Sequence, residues 1–103
     1  MKPVIIVSTY PDKKTVTKIA NELVKKRLVA CVNISKISSI YPWKGKIENI
    51  TEFLVFFKTT QKNKNALKKA IKKMHPYDIP EIAEISIISI NQPYLKWLIE
   101  SMN

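Results

Sequence analysis

Few of the residues that reactive chemistry uses most are present in this chain. Its 103 residues include one cysteine, one histidine and one glycine, and Arg27 is the only arginine. Each scarcity removes a class of function. A single cysteine cannot close an internal disulfide, and one cysteine with one histidine cannot build a tetrahedral Cys/His metal site within one chain. With one glycine, Gly45, there is no glycine-rich loop to cradle a phosphate. One guanidinium offers little for bidentate recognition of phosphate or guanine. Long apolar runs are missing too: the stretch after Met1-Lys2-Pro3 is too brief for a signal-peptide core or a membrane span. A soluble, cytoplasmic protein without membrane contact is expected. Nothing pairs a nucleophile with a base, so an enzyme is the least supported class.

Positive charge is abundant. There are 18 Lys plus Arg against 8 Asp plus Glu, a net charge of +10. Because nearly all of these cations are lysines, a solvated surface explains them better than a nucleic-acid interface. The segment Glu52-Phe53-Leu54-Val55-Phe56-Phe57-Lys58 also lacks the glycine-containing pattern of an RNA-recognition strand. Nucleic acid is not expected as a partner.

Hydrophobic periodicity outlines one domain over residues 1–103. Val4-Ile5-Ile6-Val7 and Phe53-Leu54-Val55-Phe56-Phe57 are apolar on both alternations, the mark of central strands covered on both faces. Asp12 caps a helix predicted over 13–27, whose stripe is Val16, Ile19, Ala20, Leu23 and Val24. A second strand runs from Val29 to Trp43, with a parity slip that predicts a bulge near Ser35-Lys36. Trp43-Lys44-Gly45-Lys46 reads as a hairpin turn leading back to Thr60. A second helix opens at Thr60 or Gln61 and ends before Pro76. Its stripe is Ala66, Leu67, Ala70, Ile71 and Met74, with lysines, Lys64 and Lys68 among them, on the wet side. An edge strand over 82–90 follows, then a terminal helix from Pro93 carrying Tyr94, Trp97 and Leu98. The order gives an α+β, ferredoxin-like β-α-β-β-α-β plan with an appended helix.

The second strand is too long for the helices. It spans about 45–50 Å at roughly 3.3 Å per residue, whereas the first helix covers about 22 Å. The distal hairpin nevertheless carries Ile37, Ile40, Trp43, Ile47 and Ile50. That apolar surface implies an interface in a closed homo-oligomer.

Some residues invite chemistry. Cys31 is either a core thiol or a soft-metal ligand. His75 ends the second helix, where the helix dipole favours its charged form. With Tyr77, Asp78 and Glu81 in a proline-stiffened loop, it is either a capping residue or a metal or small-ligand contact. Trp43 is an interface anchor or a stacking group. Glu48 and Glu52 either add carboxylates or pair with Lys44, Lys46 or Lys58.

Leu28-Val29-Ala30-Cys31-Val32-Asn33-Ile34, Ser39-Ile40-Tyr41-Pro42-Trp43-Lys44-Gly45-Lys46-Ile47, His75-Pro76-Tyr77-Asp78-Ile79-Pro80-Glu81-Ile82 and Tyr94-Leu95-Lys96-Trp97-Leu98 occur in that order. Together with Glu52 and Lys58-Thr59, they resemble the CutA divalent-cation-tolerance family nearly end to end. The resemblance implies a ferredoxin-like subunit in a tight homotrimer whose long strands meet across subunit boundaries. It further implies a role in tolerance to copper and other divalent cations, and with no nucleophile paired to a base the expected protein is non-enzymatic. Metal-linked positions map onto His75 and Cys31, with Glu81 as a carboxylate helper, and Tyr77 and Trp97 are candidate ligand-cleft residues. The alternative is a trimeric signalling or scaffold module that holds a small anionic ligand between subunits.

Overall fold

In the computed structural model, which describes residues 1–103, the two doubly apolar segments lie in the middle of one sheet. The elements are β1 (Pro3–Tyr10), α1 (Lys13–Lys25), β2 (Cys31–Trp43), β3 (Lys46–Thr60), α2 (Lys64–Met74), β4 (Ala83–Ser86) and α3 (Gln92–Ser101). The strand order is β2-β3-β1-β4 with every neighbouring pair antiparallel. β1 and β3 are inner strands and β4 is an edge, as their patterns predict.

Register assigns each side chain to a face. On one face Ile6 and Tyr10 of β1 join Val55 and Phe57 of β3, and α1 and α2 cover them with Val16, Ile19, Leu23, Leu67 and Ile71. Full burial of each such aliphatic side chain contributes about 1.5–3 kcal/mol, so this layer holds the fold together. The opposite face carries Ile5, Val7, Leu54 and Phe56. There α3 lies along β3, with buried Leu98 and a hydrogen bond from Lys58 Nζ to the Tyr94 hydroxyl at 3.4 Å.

Local chemistry sets the helix ends. Asp12 Oδ1 accepts from the Thr15 N–H at 2.7 Å and caps α1. The far end closes two residues before the predicted limit, because Arg27 takes a left-handed φ of 59°. Its N–H then reaches Val24 O and the Leu28 N–H reaches Leu23 O, the paired bonds of a Schellman motif. Val24 falls on the rim of the stripe and is exposed.

Four further expectations are corrected. There is no bulge at Ser35-Lys36, since β2 and β3 pair in one unbroken register from Cys31↔Lys58 to Trp43↔Lys46. The parity slip records a change in which face is covered: Val32 and Ile34 point to the helices, Ile37 to the opposite face. α2 starts at Lys64 rather than Thr60, which completes β3, and Ala66 is exposed. Lys64 and Lys68 do not face water alone but pair with Glu84 of β4 at 2.9 and 2.6 Å. β4 spans four residues instead of nine, because Ile87 would continue the ladder opposite Pro3, which has no N–H to donate.

The hairpin turns through Lys44 (φ 50°) and Gly45 (φ 77°), the two left-handed residues of a tight β-hairpin. It makes the molecule long, 46 × 26 × 21 Å, with a radius of gyration of 14.4 Å. A compact chain of this length has about 13 Å.

Candidate functional site

Pro76 forces the preceding residue out of helical geometry, so α2 ends at Met74 and His75 is extended (φ −75°, ψ 134°). The His75 ring then folds back over the end of β1. It stacks on Tyr10, with centroids 4.2 Å apart and planes 18° from parallel, and its Nε2 lies 3.0 Å from Ser8 Oγ. The Tyr77 N–H donates to Nδ1 at 3.1 Å. Beyond it, the chain crosses to the open face of the sheet, and the Tyr77 hydroxyl donates to Glu52 Oε2 at 2.7 Å.

The Ser8–His75 distance suits a nucleophile and its base. The protons run the wrong way. With Nδ1 accepting from a main-chain N–H, the neutral tautomer carries its proton on Nε2, the nitrogen that faces Ser8, and in that tautomer it does not take the serine proton. Ser8 is also fully buried.

Electrostatics follow from burial. Desolvation lowers the His75 pKa, opposed by a main-chain hydrogen bond at Thr9 and the charge of Glu52. The expected helix-end preference for the charged form is thus overturned, because the ring is packed on Tyr10 instead of facing water. Burial pushes the Tyr10 hydroxyl up to about 12, with the Ser8 hydroxyl pulling the other way. No partner in good hydrogen-bonding geometry reaches the Tyr10 hydroxyl, so burial dominates. Burial, and then the Glu52 carboxylate, raise the Tyr77 phenol.

On the sheet face opposite α1 and α2, along the hairpin, lies a cleft of about 540 Å³. Thr9, Tyr41, Trp43 and Glu52 form its floor, and Pro76, Tyr77, Asp78, Ile79 and Glu81 its rim. Glu52 is only 7% exposed.

The sequence-predicted residues are only partly brought together. Tyr77, Trp43 and Glu81 line the cleft, and His75 lies beside it behind Tyr77. Cys31 pairs with Lys58, six residues along β3 from Glu52, about 20 Å away. Its thiol points to Asn33. Trp97 is half-exposed on α3, tilted against Tyr94 at 5.4 Å, and does not line the cleft. No group of three or more His, Cys, Asp and Glu side chains converges. Within one chain, then, the donors do not fit a divalent-metal site: Cys31 is remote and both His75 nitrogens are engaged. The cleft's three carboxylates also disfavour an anionic ligand there.

Ser8, Thr9 and Tyr10 were not predicted as site residues. A serine inside an otherwise apolar strand was the available signal for Ser8. Glu52, expected either to add a carboxylate or to pair with lysine, accepts from Tyr77 and pairs with no lysine.

The interface candidates divide between two surfaces. Ile40 and Ile47 share the face that continues from the helix layer, whereas Ile37, Ile50 and Trp43 share the cleft face.

A four-stranded antiparallel sheet with helices on both sides, an overlong hairpin and an aromatic–carboxylate cleft along it defines a class of small α+β subunit. The chain belongs to the CutA1 divalent ion tolerance protein family, whose model matches residues 4–101. It is 41% identical over 97 residues to the divalent-cation tolerance protein CutA of Pyrococcus horikoshii, covering 94% of this chain and 95% of that one. A crystal structure of the Pyrococcus protein superposes with a TM-score of 0.91 at 40% identity, covering 95% and 96% of the two chains. CutA from Synechococcus elongatus gives 0.96 at 31% identity, over 99% and 91%. A relative from Archaeoglobus fulgidus, described as a periplasmic divalent cation tolerance protein, gives 0.93 at 36% identity, over 98% and 99%. In the present chain no helix is long and apolar enough to cross a membrane.

Proposed function

We propose that this chain is the subunit of a non-enzymatic homotrimer that serves divalent-cation tolerance in the cytoplasm. The observation that carries the assembly is the hairpin, where Ile40 and Ile47 are 70% and 69% exposed. A stable monomer gains nothing from that surface, and a neighbouring subunit hides it. The outer strands β2 and β4 also leave edges without a partner, a liability that assembly relieves. The ferredoxin-like plan is supported by the crossovers: α1 joins β1 to β2 with β3 between them, and α2 joins β3 to β4 with β1 between them.

His75 is the proposed cation contact, with copper as the cation, and Glu81 is the proposed carboxylate helper. A cation at either ring nitrogen displaces a hydrogen bond, to Ser8 or to the Tyr77 N–H. At about 1 kcal/mol each, those bonds weaken binding roughly fivefold or more. Weak binding, completed by donors from neighbouring subunits, follows. Calorimetric titration of copper into wild type and His75→Ala tests it. Loss of the binding heat in the variant is expected; equal heats remove His75 from the site, and no heat with wild type removes the metal.

A further inference from the structure

Glu52 is an anomaly in this molecule. The residue is 7% exposed, in a chain of net charge +10, yet no lysine or arginine pairs with it. Its one protein partner is the neutral Tyr77 hydroxyl at Oε2, and Oε1 has none. A recessed carboxylate is favoured by an opposite charge beside it, and no lysine or arginine supplies one here. The little exposure it retains opens into the cleft that it floors.

The remaining walls specify what would neutralise it. Tyr41, Trp43 and Tyr77 present aromatic rings, and Trp43 is half-exposed and already holds a cation, with Lys44 Nζ 5.8 Å from its ring centroid. Asp78 and Glu81 add two more carboxylates at the rim. A hard metal ion needs several converging oxygen or nitrogen donors, and none converge here. Aromatic faces and one recessed carboxylate in the same cleft suit an organic ammonium, and rim carboxylates suit a second ammonium further along the same molecule.

We infer that the cleft binds a small aliphatic diamine, with one ammonium on Glu52 and the other at the rim carboxylates Asp78 and Glu81. This goes beyond the cation-tolerance reading and is independent of it, since His75 does not line the cleft.

The test is calorimetric titration of the assembled protein with 1,4-diaminobutane, with 1,4-butanediol as the uncharged control. Wild type saturates with the diamine and shows no binding of the diol. Glu52→Gln, which keeps an oxygen to accept the Tyr77 hydroxyl, weakens diamine binding at least tenfold at an unchanged far-ultraviolet circular dichroism spectrum. Trp43→Leu weakens it about threefold to tenfold. The inference is overturned if wild type gives no saturable heat, if the diol binds as well as the diamine, or if Glu52→Gln binds like wild type. A neighbouring subunit's lysine already seated on Glu52 produces the first of these results.

Discussion

Tyr77→Phe removes one oxygen atom and, with it, the only hydrogen bond to the buried Glu52 carboxylate. Ring packing against His75, at 5.2 Å between centroids, is kept. A hydrogen bond to a charged acceptor contributes about 1.5–3 kcal/mol, so the variant should lose about 2 kcal/mol. At about 4–8 °C per kcal/mol for a domain of this size, that is a fall of roughly 8–16 °C in Tm. Protein concentration must be held fixed, because assembly couples to stability. Adding Glu52→Gln to the Phe variant replaces the stranded carboxylate with a neutral amide and should restore part of the loss. A double-mutant cycle then returns a coupling of about 1–2 kcal/mol. If the two single effects add to within about 0.5 kcal/mol, Tyr77 does not stabilise the Glu52 charge and the reasoning fails.

Two other outcomes follow from the geometry. Arg27→Gly relieves the left-handed φ of 59° that closes α1 and should raise stability by about 0.5–1 kcal/mol, read as a higher Tm; a decrease would mean that the exposed bond from Arg27 Nη1 to Asn103 O outweighs the backbone strain. His75 titrates below its ordinary 6.5 in the folded protein, so on acidification the unfolded chain takes up the proton first. Its contribution is constant above about pH 6.5 and is lost as pH falls from there towards the lowered folded-state pKa. The urea midpoint of wild type relative to His75→Gln should drop between pH 7 and 5, and a pH-independent difference would contradict the half-buried, neutral ring.

Much of the fold was legible because its signals are local. The doubly apolar runs at Val4–Val7 and Phe53–Phe57 could only be inner strands, and Asp12 and Pro76 mark helix limits through backbone chemistry alone. The excess length of the hairpin was a matter of rise per residue. What stayed hidden depends on pairing. Whether the slip after Ile34 is a bulge or a change of covered face is decided by β3, and β4 stops where its partner presents Pro3. The site was legible as a motif, with His75, Tyr77, Trp43 and Glu81 in view. Its wiring was not, since the Ser8–His75 and Glu52–Tyr77 contacts join positions 67 and 25 residues apart. Metal donors assigned by type, Cys31 above all, proved distant because strand register, not residue chemistry, sets their separation.

The central claim is that this subunit is built to be completed by copies of itself. Ile40 and Ile47 are diagonal neighbours on one face of the hairpin, and burying most of both contributes about 2–4 kcal/mol per subunit. Sedimentation equilibrium of wild type and the Ile40→Lys/Ile47→Lys double variant tests this directly. Wild type should run at three times the 11.9 kDa chain mass and the double variant at a lower mass with the same circular dichroism spectrum. Wild type at 11.9 kDa, or a double variant that keeps the wild-type mass, would contradict it.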